Sequence, residues 1–158
     1  MITTKEKLFD IIFYQGFFIL FIINSFLLWN QPVVLTIYYM FYIFNNILNE
    51  ILKLLIKQPR PKNYQKNLET FSFDYKGIHE YGMPSGHSQS SIFSLVFLTF
   101  VMKSPIIFLI EFIICLLTVY QRWKNKKHTI QQLFVGSIIG SFIAYCAYST
   151  VPDNFNLL

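Results

Sequence analysis

The chain has 158 residues, of which 54% are hydrophobic and 13% charged, and its mean hydropathy is positive; this excludes an ordinary soluble domain and leaves no length for a second one. A single all-α membrane domain over residues 1–158 is expected. The net charge of +5 does not point to nucleic acid, because the basic residues lie in short segments between apolar runs, where they meet lipid headgroups or an anionic substrate. Cys115 and Cys146 fall inside apolar runs without metal-ligand spacing and read as buried thiols.

In chain order, a charged start at 1–7 precedes an apolar run at 8–29 that is too long for a signal-peptide core and reads as a retained anchor. Further apolar segments follow at 33–56, 88–102, 105–120 and 130–148, which predicts a polytopic bundle of about five spanning helices. Asn30, Gln31 and Pro32 separate the first two, and Pro59 with Pro61 stops the second, since proline lacks the amide hydrogen and restricts its predecessor. Only Lys103 and Ser104 separate the third and fourth, so these form a tight hairpin. With five crossings, the N-terminus, the polar stretch 57–81 and the segment 122–128 share one face.

Three polar clusters fall on that face, each at a predicted helix end where free amides and the helix dipole favour an anion. In the first, Asn46, Glu50, Lys53 and Lys57 recur at helical spacing, so Lys53 points inward with Glu50 as its partner, while Lys57 reads as a surface charge. Arg60 follows as a second cation of the site. In the second, Pro-Ser-Gly-His at 84–87, Ser85 is a good N-cap, Gly86 admits close approach to a ligand and His87 can donate a proton to a leaving oxygen. In the third, His128 precedes Gln132 by four residues, so a hydrogen bond between them would fix one ring nitrogen and leave the other to attack phosphorus. Arg122 supplies a forked donor for phosphate oxygens. Gly136, Gly140 and Ala144 continue that row as small packing positions.

The spacings Lys-x6-Arg-Pro (53–61), Pro-Ser-Gly-His (84–87) and Arg-x5-His-x3 (122–131) together resemble the three-part signature of the type 2 phosphatidic acid phosphatase (PAP2) superfamily. Over roughly 50–140 the chain is similar to its dolichyl diphosphate phosphatase branch, through Lys-Gln-Pro-Arg-Pro (57–61), Tyr-Gly-Met-Pro-Ser-Gly-His-Ser-Gln (81–89) and His-Thr-Ile-Gln-Gln-Leu-Phe-Val-Gly (128–136). The resemblance implies a PAP2/haloperoxidase-like core and a phosphohistidine formed on His128. It also implies protonation by His87 and a phosphate cradle of Lys53, Arg60, Ser85, the Gly86 amide and Arg122, with no metal and no cofactor. The implied substrate is a lipid-linked phosphate or diphosphate, dolichyl diphosphate above all, and the implied place is the endoplasmic reticulum membrane. The third motif of the wider superfamily ends in Asp where this chain has Gln132, a feature it shares with the dolichyl branch. Gln121 stands where a serine is usual, and the helix count is lower than in six-helix relatives. Two other readings stay open: a lipid phosphate phosphatase of broad specificity, and a non-catalytic membrane scaffold derived from the enzyme.

Other residues have weaker claims. His79 reads as a solvated loop histidine and Glu111 as a buried acid hydrogen-bonded to a neighbouring helix. Lys124, Lys126 and Lys127 read as a headgroup-contacting surface, and Tyr38, Tyr39, Tyr120 and Tyr148 as interfacial anchors or bundle packing. The excess of Lys and Arg on the motif-bearing face predicts a cytosolic site, whereas the resemblance implies a lumenal one.

Overall fold

A computed structural model describes residues 14–62 and 80–152. Residues 8–13 of the first apolar run, most of the polar stretch 57–81 and His79 lie outside them. The described residues form five helices: α1 (Gly16–Leu27), α2 (Pro32–Ile56), α3 (Gly86–Met102), α4 (Pro105–Lys124) and α5 (Ile130–Tyr148). They meet the expected segments, with α4 running one turn further than 105–120 and α3 starting at the motif glycine.

Local chemistry sets the ends. Pro32 opens α2 at a position where its missing amide hydrogen costs nothing. Lys57 and Lys103 close α2 and α3 in the left-handed region, with φ of 51° and 49°. Ser104 then caps α4, its hydroxyl accepting from the Ile107 amide, with Pro105 in the first turn. At α5 the Thr129 hydroxyl accepts from the Gln132 amide at 3.2 Å while the Gln132 side chain accepts from the Thr129 amide at 3.1 Å, a reciprocal capping box.

The central helix is α3, which packs against the other four. Its approach to α5 is the tightest: a Cβ on Gly136 would press on the Ser85 carbonyl, and one on Gly140 would collide with that of Gln89. The small-residue row expected along α5 is therefore the surface through which two backbones meet. At the end away from the motifs, Leu28, Val34, Tyr38, Phe93, Phe97 and Ile143 form an apolar core. Tyr38 is fully buried there, with its hydroxyl 2.9 Å from that of Ser94, so it packs the bundle rather than anchoring an interface.

Towards the motifs the inner face of α3 turns polar. Gln89 donates to the Asn45 carbonyl and side chain at 2.9 and 3.0 Å and accepts from Asn49 at 2.8 Å. Ser88 donates to the Leu133 carbonyl at 2.8 Å and lies 2.8 Å from the Ser137 hydroxyl. These bonds knit α2, α3 and α5 where apolar packing would leave no room for a polar cavity.

The expectation of five spanning helices needs correction. Among the described residues, two helices, α4 and α5, are long and apolar enough to cross a membrane. The described part of α1 has 12 residues, about 18 Å of helix against a hydrocarbon core of about 30 Å. The second helix is long enough but carries Asn45, Asn46, Asn49, Glu50 and Lys53, and α3 has 17 residues with a serine-rich first half.

The Gly140 contact is testable. Gly140→Ala places a methyl against the α3 backbone, and overpacking of this kind costs about 1–3 kcal/mol; thermal unfolding in detergent should show a clearly lowered midpoint, and an unchanged one would refute the close approach.

Candidate functional site

The three polar clusters converge at one end of the bundle. After α2 the chain doubles beside residues 80–82 through a Pro59 to Tyr81 bridge, with Arg60 N–H donating to Glu80 O at 3.2 Å and Gly82 N–H to Gln58 O at 2.8 Å. Ser85 then caps α3, its hydroxyl accepting from the Ser88 amide at 3.4 Å. At the end of α4 the amides of Lys127 and His128 both donate to the Arg122 carbonyl, at 2.9 and 3.4 Å, which folds the chain back on itself before α5. The Ser85 amide donates to the Gln132 carbonyl at 3.1 Å and joins the second cluster to the third.

Between them lies a cavity of about 290 Å³ lined by Lys53, Arg60, Gly86, His87, Arg122 and His128. Six of the eight residues expected at the site thus share one wall, while Ser85 and Gln132 stand behind it. Lys53 points inward as its helical position predicts, and its Nζ donates to Glu50 at 2.7 Å. Gly86 is held close to α2: a Cβ there would press on the Asn49 amide oxygen.

His128 is 3% exposed, and its Nδ1 lies 2.9 Å from the Gly82 carbonyl oxygen. A carbonyl only accepts, so Nδ1 carries the proton and Nε2 keeps the lone pair. The expected orienting bond from Gln132 is replaced by this one. Gln132 instead donates to the Gln58 side chain and the Pro59 carbonyl, both at 3.0 Å, while its oxygen completes the α5 cap. Its amide also lies against Gly82, where a Cβ would collide with it. The capping box is what redirects this side chain: an oxygen turned back to the Thr129 amide cannot also reach the imidazole. Gln132 therefore meets Gly82, and not the His128 ring.

Burial, then the positive charges of Arg60, Arg122 and Lys53, hold the His128 imidazole well below its ordinary value of 6.5, with the Gly82 hydrogen bond opposing them. The ring is neutral in the folded chain at neutral pH, as a nucleophile must be. His87 meets the same cavity between two aromatic edges, Phe17 at 4.6 Å and Tyr14 at 5.6 Å between ring centroids. Its buried Nε2 has no hydrogen-bond partner among the described residues. The Arg122 Nη2 donates to the Tyr14 carbonyl at 2.9 Å, and its guanidinium lies 4.2 Å over the Tyr14 ring.

Several readings change. Lys127 is buried, unlike Lys124 and Lys126, so the basic run is not a uniform surface. Glu111 is 1% exposed, but neither carboxyl oxygen has a hydrogen-bond partner among the described residues, and it lies outside the cavity wall. Gln121 is buried beside Arg122 and does not line the cavity. Sequence reasoning missed Tyr14, Phe17, Asn49 and Ser90 in the cavity wall and the orienting carbonyl of Gly82. Asn49 was within reach, three residues after Asn46 and four before Lys53; a backbone carbonyl and two aromatic residues in an apolar run leave no such sign.

Fold and cavity define a class: a helical bundle with a buried pocket in which two histidines face three cations. The chain belongs to the PAP2 superfamily, whose family model matches residues 34–156. A curated relative, dolichyldiphosphatase of Saccharomyces cerevisiae, is 33% identical over 112 residues, covering 61% of this chain and 45% of the relative, so the chain spans less than half of that protein's length. No solved structure matches the chain.

Three outcomes follow from this geometry. In histidine-labelled protein followed by NMR, the His128 ring should remain the neutral Nδ1–H tautomer at pH 6 and titrate below its ordinary range; titration at the ordinary value would refute the buried cationic environment. Since the unfolded chain takes up this proton near pH 6.5 and the folded chain does not, His128 also makes stability fall as pH drops below that value. Gln132→Ala removes the bonds to residues 58 and 59 and should cost about 1–3 kcal/mol of stability in thermal unfolding; an unchanged midpoint would show that it supports nothing.

Proposed function

We propose that the chain is a membrane-bound phosphatase that cleaves a polyprenyl diphosphate, dolichyl diphosphate first among them, to the monophosphate and inorganic phosphate. The observation that carries this is His128, its Nδ1 held by a carbonyl, facing a pocket that also bears Lys53, Arg60 and Arg122. Membrane residence is supported by α4 and α5 and by large apolar side chains left outside the bundle, among them Phe26, Leu55, Ile106 and Phe142. The substrate is supported by the name of the curated relative, and residence in the endoplasmic reticulum by that substrate. A single PAP2 domain is supported by the extent of the family match.

In the first step the Nε2 lone pair of His128 attacks the terminal phosphorus, the P–O bond to the leaving group breaks, and a proton from His87 passes to the leaving oxygen. Lys53, Arg60 and Arg122 stabilise the charge on the transferring oxygens. The negative charge of the bound phosphate is also what lets His87 hold a proton beside three cations. In the second step water attacks the phosphohistidine, its proton returns to His87, and inorganic phosphate leaves with the His128 lone pair restored. Ser85 acts from behind the wall, fixing the start of α3 so that the Gly86 amide meets the phosphate.

The test is phosphate release by purified protein offered dolichyl diphosphate, a bacterial-type polyprenyl diphosphate and phosphatidate, with and without a chelator. Release is expected to favour the polyprenyl diphosphates and to survive the chelator. It should fall by at least about a thousandfold in His128→Ala and by about 10²–10⁴-fold in His87→Ala. Equal rates on all three lipids would establish a broad lipid phosphatase instead, and absence of release from every lipid would favour the scaffold.

A further inference from the structure

The residues matched to the family begin at 34, so α1 lies ahead of them, yet Tyr14, two residues before α1, and Phe17 in its first turn form part of the cavity wall. That turn is docked on α4. Gly16 is buried with the Thr118 side chain where a Cβ would stand, and Thr118 is held by its own bond to the Ile114 carbonyl at 2.8 Å. Arg122 lies one helical turn beyond Thr118 on the same face of α4, and it binds Tyr14 twice, by the hydrogen bond to its carbonyl and by the cation–π contact. The two aromatic rings meet His87 edge-on, at interplanar angles of 61° for Tyr14 and 74° for Phe17. Edges of this kind restrict rotation of an imidazole without offering it a hydrogen bond, and the buried Nε2 of His87 has no hydrogen-bond partner among the described residues.

Resting on the phosphatase reading above, we propose that the start of α1, together with Tyr14 just ahead of it, is a positioning element for the reaction. Phe17 holds the His87 ring in the orientation from which it protonates the leaving oxygen, and Tyr14 holds the plane of the Arg122 guanidinium towards the transferring phosphate. Neither residue touches the reacting atoms. Their effect therefore depends on how much the reaction needs each positioned group. An alkoxide leaving group needs a proton as the P–O bond breaks, whereas p-nitrophenolate leaves with little help.

The experiment compares phosphatidate with p-nitrophenyl phosphate in wild type, His87→Ala, Phe17→Ala, Tyr14→Ala and Tyr14→Phe. Phe17→Ala should lower kcat on phosphatidate by about 10- to 100-fold while lowering it on p-nitrophenyl phosphate by less than about threefold, the same selectivity as His87→Ala. The ratio of the two rates within one preparation is unaffected by loss of folded protein. Tyr14→Ala should weaken inhibition by inorganic phosphate by about tenfold, with Tyr14→Phe, which keeps the ring face, restoring it. Equal losses on both substrates in Phe17→Ala, or undiminished phosphate inhibition in Tyr14→Ala, would overturn the positioning role alone. If the wild type cleaves dolichyl diphosphate alone, Phe17→Ala must lower kcat on it as His87→Ala does and Tyr14→Ala must weaken phosphate inhibition of it, or the positioning role fails. Release from none of the three substrates by the wild type would overturn the phosphatase reading, and the positioning role with it.

Discussion

Everything at the polar end of this bundle depends on how closely the backbones of α3 and α5 approach. Gly136 and Gly140 give α5 a surface without side chains, and the Ser85 and Gln89 carbonyls occupy the space so released. At that separation the Ser85 amide reaches the Gln132 carbonyl and Ser88 reaches the Leu133 carbonyl and Ser137. The start of α3, with Gly86 and His87, is thereby placed in fixed relation to His128 just ahead of α5. A wider spacing would separate the two histidines.

A second constraint is electrostatic. Gathering Lys53, Arg60 and Arg122 around one cavity would be unfavourable without compensation, and the chain supplies it in different ways. Lys53 has the Glu50 carboxylate, Arg122 has the Tyr14 carbonyl and ring, and Arg60 donates to the Lys127 carbonyl at 3.4 Å. Burial first, and then the remaining positive field, hold the His128 imidazole well below its ordinary value. Glu111 receives no such support among the described residues.

Motif residues were legible from the sequence because their chemistry is carried by side chains at helical spacing. Lys53 and Glu50, three apart on one helix, pair as expected, and Lys53, Arg60, Gly86, His87, Arg122 and His128 line one wall. Gln132 was not legible in the same way. The position four residues after His128 is also three after Thr129, where a capping box needs it, and the competition between two acceptable hydrogen bonds is decided by what else lies within reach. Here that is Gln58, Pro59 and Gly82.

The sequence by itself determined the five helices among the described residues, their order and the kinds of side chain that converge at one end, because each follows from periodicity, proline and cap chemistry within a short stretch. The tertiary structure alone decided that the Gly82 carbonyl meets the His128 Nδ1 and that Tyr14 and Phe17 line the pocket. Those outcomes depend on contacts between residues far apart in the chain. Such contacts leave no local pattern when the partner is a backbone carbonyl or one aromatic ring among many.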